Sequence, residues 1–291
     1  AARAPAADVV RGVVVDAADV PHPAPGWIRE DVRVELGRDG ECATFIKGAS
    51  SGTAAALKLR GAREDVADAD VVKGKYEGGF KLWECAVDLV RFIMTLPEEE
   101  EEDDASASAS ASPSLSLSLL RGASVLELGC GHGLPAIAAG TRGAKRVVFA
   151  DYNPEVLSSL TIPNVRANFA QLYDAANAAA APPPSTSFVG GDWSDLPRFV
   201  PRASADVVLA AETIYAPESY DAHVAALTHA MKPPDGVALI AAKSHYFGVG
   251  GGTALFKTAC EKTGVFAVRT AREFSDGASN VREILVVTFK R

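Results

Sequence analysis

The chain has 291 residues, 48% of them hydrophobic, enough for one large domain or one domain with an extension. Its formal charge of −8 has a local source: the residues from Glu98 to Asp104 are an unbroken acidic run, and the remainder is close to neutral. A near-neutral body argues against an intrinsic duplex-binding face, which needs basic surface, and leaves room for a basic protein partner.

Residues 1–72 read as an N-terminal extension, partly β. The first ten residues lack the basic-then-apolar order of a signal peptide, and there is no initiator Met, so the start reads as processed or shortened. Pro21, Pro23 and Pro25 punctuate an irregular lead. Val32–Leu36, Ala43–Lys47 and Ala54–Leu59 then read as short strands between Gly-rich turns. Phe80–Leu96 carries Leu82, Ala86, Leu89, Val90 and Ile93 at helical spacing, and Pro97 ends the pattern. Glu98–Ser118 is acidic, then alternates Ala/Ser and Leu/Ser, the composition of a solvated, disordered insert.

From Ala123 strands alternate with helices, the pattern of a doubly wound α/β sheet. Strands are expected at Val125–Leu128, Arg146–Asp151, Thr186–Val189, Asp206–Ala211 and Val237–Ala242. Helices are expected from Leu134, over Glu155–Asn168, over Tyr220–Met231 and over Ala254–Thr263, with an Ala/Pro loop at Ala175–Pro184. Two last strands, Val265–Thr270 and Ile284–Lys290, have no helix between them and imply a terminal antiparallel hairpin. The fold class is therefore α/β: a seven-strand Rossmann-like sheet over 73–291 with a small N-terminal β extension. No apolar run approaches the ~18–20 residues needed to span a bilayer.

The strongest chemical signal is VLELGCGHG, Val125–Gly133. Glycines at 129, 131 and 133 let the backbone turn sharply and approach a ligand. A dinucleotide site usually shows GxGxxG with a pyrophosphate at the helix start. This stretch instead has alternate glycines and an acid, Glu127, inside the strand, suited to an ammonium. Asp151 falls 22 residues after Gly129, at the end of the second strand, where a carboxylate accepts both ribose hydroxyls or merely caps a helix. Asp192 and Trp193 follow the third strand and can meet an adenine, although a Trp there also serves as ordinary core. Glu212 and Tyr215 follow the fourth strand, at the carboxyl edge where open α/β sheets bind ligands. S-adenosylmethionine is the cofactor these groups suit.

The four cysteines form no CxxC pair, so neither a zinc cluster nor a disulfide framework is expected. A reducing compartment, cytoplasm or nucleus, fits. The five histidines form no ligand cluster, and no metal is expected. No GxSxG elbow supports a hydrolase.

VLELGCGHG, ADYNPEVL (Ala150–Leu157) and TIPNVRANF (Thr161–Phe169) together resemble the histidine protein methyltransferases that modify a large-subunit ribosomal protein. YEGGFKLWEC (Tyr76–Cys85), AAETIY (Ala210–Tyr215) and KSHYFGVGGG (Lys243–Gly252) resemble the same family. The resemblance runs from about Asp70 to Arg291, and residues 1–69 match nothing recognised. It implies cofactor contact by Gly79, Lys81 and Trp83, with Trp83 near the methionine end, and by Asn153. It implies Glu212 and Tyr215 as the catalytic pair, with Glu212 also bordering the cofactor. Its protein substrate would be the third protein of the large-subunit series, met by a monomer that binds no nucleic acid or membrane. A lysine methyltransferase of the same superfamily, and a catalytically silent module that holds a ribosomal protein, are the rival readings, with a dehydrogenase more distant.

Overall fold

In the computed structural model the described residues are 11–21, 27–37, 40–48, 71, 76–98, 115–172, 182–275 and 281–291. The main sheet has β4 (Ser124–Leu128), β5 (Arg146–Asp151), β6 (Ser185–Gly190), β7 (Val207–Ala211) and β8 (Val237–Lys243), followed by β9 (Phe266–Phe274) and β10 (Arg282–Phe289). With the short β1 (Val13–Val14) the order is β1-β6-β5-β4-β7-β8-β10-β9. Neighbours from β6 to β8 are parallel, and β10 runs antiparallel to both β8 and β9. The expected terminal hairpin is thus present, with the last strand in sequence inserted beside β8.

Successive residues of a strand face opposite sides. Val125, Val147, Phe149, Val207, Leu209 and Leu239 pack one side, against α1 (Glu84–Met94), α2 (Leu134–Thr141) and α3 (Ile162–Leu172). Leu126, Leu128, Val148, Val208 and Ile240 pack the other, against α4 (Tyr220–Ala230) and α5 (Thr253–Lys262). Both faces are covered, so the central strands are near-continuous apolar runs. A helical stretch, Pro154–Val156 and the π turn Leu157–Thr161, leads into α3.

The N-terminal residues are joined to this body. Val13 and Val14 pair antiparallel with Gly190 and Val189, adding an eighth strand where an irregular lead was expected. β2 (Arg29–Glu35) and β3 (Cys42–Gly48), close to the strands expected at Val32–Leu36 and Ala43–Lys47, pair with each other antiparallel. Asn168 of α3 clamps its edge: the side-chain amide accepts from Ile46 N at 2.9 Å and donates to Ile46 O at 2.7 Å. Asn164, one turn earlier, accepts from Gly48 N at 2.8 Å and Trp27 Nε1 at 2.9 Å. The expected strand Ala54–Leu59 lies outside the described residues.

Two boundaries are corrected. The helix expected from Phe80 starts at Glu84, with Trp83 at its N-cap. Gly78, at φ 82°, turns the chain before it, and Phe80 packs with Tyr76, Val156 and Leu160 instead of on a helix face. The insert expected over Glu98–Ser118 is too long at its far end. Leu117 N donates to Pro97 O at 2.7 Å, Leu117 is buried in the core, and Leu117–Leu119 form a 3-10 turn. A Leu/Ser alternation reads as low complexity, yet one leucine of it anchors the return of the chain. Residues 99–114 lie outside the described residues, as do 173–181 of the Ala/Pro loop.

Candidate active site

The chain leaves β4 and turns through Gly129, Gly131 and Gly133 at φ 64°, 48° and 73° into α2. A Cβ on Gly131 would stand 2.8 Å from the Gly79 carbonyl oxygen, so only glycine lets the Gly78–Phe80 turn lie against the glycine turn. Two buried carboxylates hold this arrangement. Asp151 accepts from Gly131 N at 2.9 Å and Asn153 N at 3.0 Å. Glu127 accepts at 3.1 Å from the N–H of Ala136, in the first turn of α2. Burial raises Asp151 to about 6, opposed by its two backbone N–H bonds, and raises Glu127 well above the usual carboxylate range.

Glu212 follows β7 in a left-handed conformation, φ 58°, and is 8% exposed. A non-glycine residue at such a φ is uncommon and costs on the order of 1–3 kcal/mol, strain that recurs at functional sites. Its Oε2 accepts the Tyr246 hydroxyl at 2.5 Å, while Oε1 is buried with no hydrogen-bond partner. The Tyr215 hydroxyl donates to the Glu77 carboxylate. Burial first, then the adjoining carboxylates, raise the pKa of both phenols, so each stays a donor. The fully buried Cys85 thiol is raised in the same way, by burial and then by Glu212.

Glu77, Glu127, Asp151, Glu212 and Tyr215 wall a cavity of about 730 Å³, within the usual range of small-molecule sites. Of the residues expected from sequence, Gly79, Lys81, Trp83, Glu127, Gly129, Gly131, Asp151, Asp192, Trp193, Glu212 and Tyr215 are all in the wall. Gly133 and Asn153 are not. Gly133 is the N-cap of α2, and a Cβ there would press on Phe149 and Thr161. Asn153 accepts from Glu77 N at 3.2 Å and braces the segment before α1. Lys81 places its ammonium 4.4 Å from the Trp83 ring centroid. Asp192 accepts from Ser194 N at 2.8 Å, and Trp193 meets the buried His223 ring edge-on at 4.8 Å, so each has a structural duty as well.

Four wall or near-wall residues went unread in the sequence: Glu77, Tyr152, His132 and Tyr246. His132 faces the Phe80 carbonyl through Nε2 at 3.0 Å, and burial lowers its pKa to about 4. It is therefore neutral, with Nε2 donating and Nδ1 a bare lone pair that has no partner. Glu77 and Tyr246 reach the site across 138 and 34 residues of chain. Both lie in stretches that carried the family resemblance, which was the one signal available for them.

The charge of the wall decides between ligands. Glu77, Glu127, Asp151, Asp192, Glu212 and Glu218 line the cavity, with Lys81 the one lysine or arginine among the described lining residues. A dinucleotide places an anionic pyrophosphate at the first helix after β4. That position is taken by the Glu127 carboxylate, which satisfies an α2 N–H itself. A ligand with an ammonium, a sulfonium and two ribose hydroxyls fits where a polyanion does not. S-adenosylmethionine meets that description. Among the described residues no group of three or more His, Cys, Asp or Glu is placed to hold a metal, and no helix is long and apolar enough to cross a membrane.

Residues 72–247 match the model of a family described as lysine methyltransferase. The chain belongs to this methyltransferase family. It is also similar to curated proteins named histidine protein methyltransferase 1 homolog. The one from Dictyostelium discoideum is 34% identical over 221 residues, 76% of this chain and 61% of that protein. The one from Mus musculus is 35% identical over 239 residues, 76% of this chain and 59% of that protein. A protein N-terminal and lysine N-methyltransferase of Aspergillus fumigatus is 30% identical over 132 residues, 42% of this chain and 47% of that protein. The chain thus spans about three-fifths of the length of the histidine methyltransferase relatives, and β1 to β3 precede the part that the family model covers.

Proposed function

We propose that this methyltransferase is an S-adenosylmethionine-dependent protein-histidine N-methyltransferase, and that its substrate is a large-subunit ribosomal protein. The observation that carries the reading is Glu212, a buried carboxylate in the cavity wall with one oxygen left without a donor. The names of the relatives from Dictyostelium discoideum and Mus musculus support the acceptor, and the motif resemblance supports the ribosomal target.

Bound S-adenosylmethionine supplies a methyl carbon on a sulfonium that departs as a neutral thioether. Asp151 would accept the ribose hydroxyls, and Glu127 would face the ammonium, directly or through water. Asp192 and Trp193 would border the adenine, and Gly79, Lys81 and Trp83 the methionine end. Glu212 Oε1 accepts the N–H of a neutral imidazole, which leaves the lone pair of the other ring nitrogen free to attack. As the N–C bond forms and the C–S bond breaks, the ring becomes cationic. Glu212 stabilises that charge and takes the N–H proton as the ring returns to neutral. The rest of the wall positions the two reactants, an effect worth about 7–11 kcal/mol at best.

The family's description and the Aspergillus relative favour a lysine acceptor as the second reading. A wall of carboxylates works against it. Carboxylates hold an amine as the ammonium, which has no lone pair, whereas an imidazole, ordinarily about four units less basic, gives up its proton far more readily beside the same neighbours. The silent-module reading gives no reason for a strained, half-partnered Glu212. The pH–rate profile separates the acceptors. With histidine, kcat/KM falls as pH drops below about 6.5, the ordinary imidazole value, because the imidazolium cannot attack. A rate that instead keeps rising well above pH 8 would mark a lysine.

A further inference from the structure

The group that fixes Glu212 comes from a different loop. Tyr246 lies between β8 and α5, in the KSHYFGVGGG stretch that no step above uses. That loop is built onto the end of β7. Gly251 N donates to Tyr215 O at 3.0 Å, and a Cβ on Gly251 would stand 2.2 Å from the same oxygen, so the contact demands glycine. Tyr246 N donates to Gly251 O, and Gly250 N donates to Tyr246 O, both at 2.9 Å. The loop therefore sets the ring in place before any ligand arrives. At its tip the Tyr246 oxygen accepts from Lys243 N at 3.2 Å and spends its one hydrogen on Glu212 Oε2 at 2.5 Å.

A glutamate carboxylate rotates easily about its last torsion, which is broad and roughly two-fold. Left to itself, Glu212 would offer either oxygen to an incoming N–H. With Oε2 tied to Tyr246, Oε1 is the one carboxylate oxygen left without a hydrogen-bond partner, and it is held in one orientation. We propose that Tyr246 is a positioning residue that presents Oε1 alone to the acceptor and so fixes which ring nitrogen is methylated. This rests on the reading that the acceptor is histidine. Tyr246 itself need not touch the substrate, since its action passes through Glu212.

The test uses the full chain, tritiated S-adenosylmethionine, and large-subunit ribosomal proteins from cells that lack the enzyme. Tyr246→Phe keeps the ring and its packing beside Tyr215, with centroids 6.4 Å apart. The expected result is a kcat lowered about 10-fold or more, a cofactor Kd within about threefold, and a second methylhistidine isomer where wild type makes one. In the Glu212→Gln background the same change should slow turnover by less than about twofold, because a residue that acts through Glu212 is coupled to it. A variant equal to wild type in kcat and isomer ratio overturns the proposal. So does a loss of kcat matched by a loss of cofactor affinity with a single isomer, which would mark general structural damage. Methyl-lysine from the wild-type protein would overturn the underlying acceptor reading, and it is seen without any variant.

Discussion

Replacing Glu212 by Gln is expected to lower kcat about 10²–10³-fold, the range found when one preorganised group facing developing charge is removed. Glutamine preserves the shape and the backbone conformation, so folding is not at issue. On the proposed histidine reading, what it removes is the negative charge beside a ring that turns cationic as the methyl arrives. The charge sits behind a buried, half-partnered oxygen, where a carboxylate counts for far more than in water. The ground state loses little, because a neutral imidazole still finds a carbonyl oxygen to accept its N–H. Cofactor affinity, measured by calorimetry without acceptor, should stay within about threefold, a change of under 1 kcal/mol. A parallel loss of cofactor affinity and rate would place Glu212 on the cofactor instead of the acceptor.

The second large effect concerns Asp151. Asp151→Ala should raise the S-adenosylmethionine Kd roughly 5- to 150-fold, the equivalent of about 1–3 kcal/mol for polar groups left unpaired. The wild-type protein carries its own control. Asp151 has a pKa of about 6 in the folded protein, above its ordinary value chiefly because it is buried. Only the ionised carboxylate can accept from Gly131 N, Asn153 N and two ribose hydroxyls together. Binding therefore favours the ionised form and releases a proton where Asp151 is protonated beforehand. The sign follows: affinity is full above about pH 6 and falls as pH drops through it, approaching tenfold per pH unit. Calorimetry from pH 5 to 8 without acceptor isolates this titration from that of the substrate histidine. An affinity flat across that range would remove Asp151 from the ribose role.

The sequence is legible where burial forces a pattern. Central strands covered on both faces have to be apolar runs, so β4 to β8 stand out with little error. The turn at Gly129–Gly133 has to be small-residued, because Gly79 lies against it. Glu127 and Asp151 stand out as acids where a strand end should be apolar. Other features leave no local trace. β1 is two residues long, and its partner β6 is more than 170 residues away. Phe80 fits a helical period, yet Gly78 turns the chain before it and sends the ring into a separate cluster with Tyr76. Leu117 looks like its neighbours in the Leu/Ser run, and only the meeting with Pro97 O makes it core. Tyr246 and Glu77 are ordinary residues in sequence. Their significance comes from the carboxylate and phenol that the fold brings to them.

The central claim is the transfer of a methyl group to a protein histidine, and the product decides it most directly. Large-subunit ribosomal proteins from cells lacking the enzyme would be incubated with the full chain and methyl-labelled S-adenosylmethionine, then hydrolysed to amino acids. The account predicts label in methylhistidine, confined to one ribosomal protein and incorporated about 10²–10³-fold more slowly with Glu212→Gln. Label in methyl-lysine with none in methylhistidine would contradict it.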